Sequence, residues 1–376
     1  MFRTAFLLNL LICLLYPTAA SAWGYEGHRV VGSIADQMLH DNAKAQVSQI
    51  LSYEDPPDQG QAITLRIAGP WADCVKSVVL DNGQYLYEPS NAEFRIPCTS
   101  FEKTPMDHSL PSHPMEQARM EDYVARNWSY CMYAPRGTQE GCHNTYHFDD
   151  VAFQRDRFDR SYLGTNEHDL VAAITAAIAV LKDNPAPAPF SIKDKKEALF
   201  MLAHFVGDLH QPLHVEAVYL AHDNVSGDAK GRVDPDAMHQ IDPESNTEGG
   251  NLISVRDQCL KIPNTNPPRC FNFHGEWDQI PNDLGDAATP ELLAAARLVP
   301  PSKGSVEDWP AAWASDTIVV AHQALDETFT PTAPEKWTVT FDNRSNYLLQ
   351  LEDTIKRQQL AKAGARLAEL LNAIWP

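Results

Sequence analysis

The stretch His204-Phe-Val-Gly-Asp208-Leu-His210-Gln-Pro-Leu-His214 concentrates three histidines and an aspartate in an otherwise apolar segment. On a helix, His204 and Asp208 are four apart and point the same way, so an imidazole and a carboxylate can reach one metal ion. Pro212 cannot donate to the carbonyl of Asp208 and clashes with it, so the helix should end or kink there. His214 is thereby redirected toward a different ion, and the spacing of His210 suits packing or support better than ligation. A second pair, His274 and Asp278, repeats the four-residue spacing, although such pairs also arise by chance. Tyr146-His147-Phe148-Asp149-Asp150 reads either as a ligand-bearing segment or as an aromatic edge with solvated acids. Asp73, beside Trp71, and His28, close to Trp23, complete the candidates.

These side chains need rigid elements to hold them, and the apolar periodicity supplies mainly helices. Residues 27–46, 169–181, 192–209 and 346–374 repeat apolar positions every three to four residues, with shorter helices expected at 290–298 and 311–325. Strand signals are sparse, and 336–341 is the exception. Residues 77–145 show no steady period, and residues 221–247 are polar and rich in Asp and Gly. Both read as long loops, which are usually functional or stapled.

Composition narrows the class. With 30 basic against 50 acidic residues the formal net charge is −20, which argues against binding polyanions through a basic surface. It leaves open an enzyme whose affinity for phosphate comes from bound cations. Residues 1–22 have a basic start at Arg3, an apolar run from Leu7 to Tyr16 and a small-x-small Ala20-Ser21-Ala22 ending. This is the pattern of a signal peptide cleaved after Ala22, leaving Trp23 first and the protein secreted or periplasmic. Six cysteines would remain, with Cys131–Cys142 and Cys259–Cys270 the simplest pairs. No CxxC pair occurs, so the metal chemistry must lie in His and Asp.

Together these motifs closely resemble the zinc-dependent single-strand nucleases typified by the fungal nucleases S-one and P-one, a family similar in fold to bacterial zinc phospholipase C. The resemblance runs from Trp23 to the C-terminus and includes the final Lys362–Trp375 segment. It implies one compact, mainly α domain over residues 23–376 around three Zn²⁺ ions, with long disulfide-stapled loops. Asp73, His147, His204 and Asp208 would hold one ion. Asp208 would bridge to a second, completed by His28 and by the α-amine and carbonyl of Trp23. His214, His274 and Asp278 would hold the third. If the Trp23 amine is a ligand, even one extra N-terminal residue should abolish most activity.

The resemblance also implies roles around the metals. Asp73 and Asp208 would act in catalysis with Lys76, which matches a basic position near the phosphate; its plain alternative is a solvated surface lysine. Phe148 would stack on a base and Asp150 would hydrogen-bond its edge, the alternative for Phe148 being core packing. Asn251, in the family-like Gly249-Gly250-Asn251, would contact substrate. The expected partners are single-stranded DNA and RNA and 3′-nucleotides, with no stable membrane association and no obligate protein partner. Asp73 and His147 lie 74 positions apart, farther than the family pattern, so an insertion over about 77–145 should sit near the cleft. Two other readings compete: a zinc phospholipase C using the same metals on lipid, and an exported metal-binding protein without activity.

Overall fold

The computed structural model describes residues 23–376 except 90–94, 129, 134–137, 224, 257, 264, 266, 334–335 and 349–352, and for 130–133 and 138–140 the backbone alone. The signal-peptide expectation therefore lies outside the described residues. Among these, helices dominate and strands are short, so the fold is mainly α.

Capping chemistry sets where the long helices begin. Asp169 accepts from the Ala172 amide and starts the helix Leu170–Leu181, and Asp194 accepts from Glu197 to start Lys195–Asp208. The expected single helix over 27–46 is two helices, Tyr25–Met38 and Asp41–Ile50. Between them Leu39 is extended, and the His40 amide is taken by the Asn372 side chain at 2.8 Å. The shorter expected helices form as Pro290–Ala296 and Trp309–Leu325, and the last helix runs Asp353–Ile374. The strand at 336–341 forms as Lys336–Thr340, antiparallel to Thr328–Ala333 and parallel to Ile253–Ser254.

The segment 77–145 is more ordered than its pattern suggests. It holds the hairpin Val78–Asp81 with Gln84–Tyr87, the helix Pro114–Arg126 and the hairpin Tyr130–Tyr133 with Thr138–Gly141. The helix escapes a periodicity reading because Glu116, a charged residue, faces inward with Met120, Tyr123 and Val124. Glu116 is buried against Lys196 at 2.5 Å, while Arg126 reaches Glu197 at 2.6 Å. Both partners sit in the first turn of the Lys195–Asp208 helix, so the segment is bolted to that helix by ion pairs whose carboxylates are buried. Removing one partner of such a pair leaves an uncompensated buried charge. Disulfides join Cys74 to Cys98 and, as expected, Cys259 to Cys270; the Cys131 side chain lies outside the described residues.

The main core packs Val30, Val31 and Ile34 of the first helix against Leu199, Phe200 and Leu202 of the central one. Leu367, Leu370 and Leu371 of the last helix close it. A second core gathers Leu213, Phe273, Trp277, Trp337 and Tyr347. Every residue from Lys196 to Asp208 is buried, so this helix is enclosed on all sides, as an all-round apolar helix must be.

The first and last helices approach closely at Gly364, where a Cβ would lie 2.4 Å from the Ile34 Cβ and 3.0 Å from the Val31 carbonyl. Gly364→Ala should gain about 1 kcal/mol in helix propensity. Overpacking against a rigid branched side chain should cost about 1–3 kcal/mol and outweigh it. Urea unfolding should show a lower midpoint; a higher one would mean the two helices can separate freely.

Candidate metal centre

The central helix delivers His204 and Asp208 from its last turn, and its end at Asp208 lets the chain turn through Pro212–His214. Asp208 is fully buried, and its two oxygens face different neighbours. Oδ2 lies 3.0 Å from His147 Nδ1 and 3.2 Å from His204 Nε2, while Oδ1 lies 3.3 Å from His28 Nε2. Asp73 approaches from the turn Trp71–Cys74, its Oδ1 being 3.7 Å from His204 Nε2 and 4.0 Å from His147 Nδ1. His28, His204 and Asp208 form one tight donor group and Asp73, His147 and His204 another.

A third group joins His214 to His274 and Asp278 of the short helix Phe273–Asp278, whose cap Asn272 accepts from the Gly275 amide. Asp278 Oδ2 is 3.4 Å from His274 Nε2, and Gln211 Nε2 donates to Asp278 Oδ1 at 2.9 Å. All eight side chains expected to hold metal are thus brought together in three groups. Trp23 stands beside them: its indole donates to the Gly207 carbonyl at 2.9 Å, and the Gly24 amide donates to the Asp278 carbonyl at 2.7 Å.

The proton positions suit cations. Nδ1 of His204 donates to the Gly69 carbonyl, Nδ1 of His214 to that of His147, and Nδ1 of His274 to that of Gly249, each at 2.7 Å. A carbonyl only accepts, so each Nδ1 carries the proton and each Nε2 presents a lone pair. His214 Nε2 and His274 Nε2 are then two acceptors only 3.1 Å apart, an arrangement that calls for a cation between them. Burial drives the imidazoles neutral, His28 to about 3 and His204 and His274 to about 4. Burial also raises the Asp208 and Asp278 carboxyls well above the usual range. At Asp73 burial acts the same way, but Lys76 and the imidazoles outweigh it and hold that carboxyl low. A site of neutral nitrogen donors and strained carboxylates fits divalent metal bound through nitrogen and oxygen.

The remaining expectations are placed as follows. Lys76 is mostly buried and its Nζ contacts Asp73 Oδ1 at 2.9 Å, so it is no solvated surface lysine. Phe148 is half-buried at the end of the 3₁₀ turn Cys142–His147. Asp150 is buried, hydrogen-bonded by Asn246 and pushed up to about 7 by burial. The Asn251 amide donates to the Glu248 carbonyl at 2.9 Å and accepts from Asn272 at 3.1 Å, tying the Gly249-Gly250 turn to the His274 helix. His210 turns away, bonding the Val206 carbonyl and receiving Arg366 at 2.9 Å. What motif reading misses is the glycines. A Cβ on Gly207 would lie 2.9 Å from His28 Nδ1, and one on Gly69 2.6 Å from the His28 carbonyl.

A mainly helical protein that clusters eight nitrogen and oxygen donors, seven of them buried, has a candidate site for divalent metal ions. The family described as S1/P1 nuclease matches residues 112–376, so the chain belongs to that family. It is therefore a nuclease, a phosphodiesterase of a family that is zinc-dependent in general. No curated protein matched the chain significantly. Trp23, His28, Asp73 and Lys76 precede the matched stretch, and geometry alone unites them with it.

Two predictions follow from this geometry. Gly207→Ala should push His28 aside and lower the bound metal per chain, read by elemental analysis after dialysis, with the helical circular dichroism unchanged. Full metal content would mean His28 is not a ligand. Zinc uptake by the metal-free protein should release protons, and the release should grow as pH falls. The raised carboxyls are more protonated at lower pH and must ionise to bind, whereas imidazoles at about 3 to 4 are already neutral. Calorimetry in buffers of different ionisation enthalpy measures the release; a release that shrinks as pH falls would contradict it.

Proposed function

We propose that this protein is an exported endonuclease that hydrolyses single-stranded DNA and RNA to 5′-phosphate products and also removes 3′-phosphates from nucleotides. The observation that carries this reading is the two-sided placement of Asp208 between His28 and the His147–His204 pair. Asp73, His147, His204 and Asp208 would hold one Zn²⁺. Asp208, His28 and the freed amine and carbonyl of Trp23 would hold a second, and His214, His274 and Asp278 a third. Bound there, zinc would supply acidified water and offset charge on the phosphate and the leaving 3′ oxygen.

The protein's own groups do the rest. Lys76, held beside Asp73, adds a positive charge at the rim where a phosphate would approach. The carbonyls of Gly69, His147 and Gly249 fix the imidazole tautomers, so the donors need no rearrangement when substrate arrives. Phe148 offers a ring to a base, and stacking requires that base to be unpaired. Asp150, near neutrality, can present either a carboxylate or a carboxyl to a base edge. Export agrees with the disulfides, and among the described residues no helix is long and apolar enough to cross a membrane.

The test is hydrolysis by protein beginning at Trp23, offered single-stranded DNA, single-stranded RNA, duplex DNA and phosphatidylcholine, with chelator and then zinc. Zinc-restored cleavage of the single strands is expected, and an added N-terminal residue should remove most of it. Zinc-restored lipid hydrolysis with inert nucleic acid would replace this reading by a phospholipase C.

A further inference from the structure

On the Lys76 side of the donor cluster the chain builds a second aromatic feature. The 3₁₀ turn Val75–Ser77, which carries Lys76, runs directly into the strand Val78–Asp81, and its partner strand carries Tyr85. Tyr85 meets Trp128 edge-on, with ring centroids 5.4 Å apart at 65°, and Trp128 lies 5.6 Å from His143. Tyr85 and Trp128 pack against the main core yet stay partly exposed. His143, beside Trp128, is buried, and its Nδ1 has no hydrogen-bond partner. Gly141 packs directly against both rings, since a Cβ there would lie 2.6 Å from His143 Cε1 and 3.3 Å from Trp128 Cε3. The Lys76 ammonium acts on His143 as it does on the cluster imidazoles, so this feature and the donor cluster share one cation.

A net charge of −20 argues against holding a nucleic acid strand chiefly through lysine and arginine. Aromatic faces offer another grip, and stacking serves any unpaired base. We propose that Tyr85 and Trp128 form a second nucleobase platform, on the Lys76 side of the donor cluster, that takes an unpaired base neighbouring the cleaved phosphate. The inference rests on the single-strand nuclease reading above. The platform lengthens the footprint on the strand without adding to the chemistry, and a mononucleotide held at the cluster has no second base to offer it.

The experiment compares zinc-loaded protein on a single-stranded thymidylate oligomer of about ten nucleotides, within the usual span of such sites, and on 3′-thymidine monophosphate. Trp128→Leu and, separately, Tyr85→Leu should raise KM for the oligomer about tenfold, the loss of roughly one stacked base. The loss should be confined to the oligomer, with kcat largely kept, and Trp128→Phe should restore KM. Equal losses on both substrates would assign the rings to packing and overturn the platform, as would an unchanged oligomer KM in both leucine variants. Wild-type protein inert on both substrates but active on phosphatidylcholine would instead overturn the parent reading, and the platform with it.

Discussion

The structure depends on one buried carboxylate with two faces. Asp208 has no exposed surface, and burial pushes its carboxyl toward the neutral form, so an ionised Asp208 must be matched by positive charge. Its neighbours do not supply it, because burial keeps His28, His147 and His204 neutral as well. Two sets of imidazole donors on opposite oxygens leave metal cations as the natural source. The fold is therefore poised around a charge deficit that binding removes, which couples metal affinity to the rigidity of the surrounding helices.

That rigidity comes from enclosing the helix that carries Asp208. A helix buried on every side has no slack, and its neighbours must come close at defined points. Gly207 admits His28 to that helix, while around it Gly69 lies against the His28 backbone and Gly364 lets the last helix approach the first. A glycine within a helix is destabilising by about 1 kcal/mol relative to alanine. Here Gly207 lets a donor from the N-terminal helix reach the bridging carboxylate. The opposite end of the helix is fixed by charge, through Lys196 with Glu116 and Glu197 with Arg126.

Much of this was legible in the chain. The spacing of His204 and Asp208, the interruption at Pro212 and the repeat at His274 and Asp278 each correspond to a placed side chain, because a four-residue helical spacing fixes direction. The long helices were legible for the same reason. The helix Pro114–Arg126 was not, since its inward face is partly ionic and an ionic face leaves no apolar period. The break at Leu39 was also hidden, because the Asn372 side chain that takes the His40 amide comes from the far end of the chain. The carbonyl partners of His204, His214 and His274 leave no mark in side-chain patterns at all.

The donors of the site are divided between the two cores. His28, His204 and Asp208 belong to helices of the main core, whereas His274 and Asp278 lie on a helix of the second. His147 and His214 lie on the 3₁₀ turns between them, and the His214 Nδ1 proton on the His147 carbonyl locks those turns together. Residues 77–145 leave from Asp73 and return just before His147. Both ends are anchored, by the Cys74–Cys98 disulfide next to Asp73 and by the 3₁₀ turn Cys142–His147 that ends on His147. Its helix is instead pinned to the first turn of the Lys195–Asp208 helix, remote from Asp208 at the other end. The donor geometry is thus set by the two cores and the turns between them, and the intervening segment is fastened at points away from Asp208.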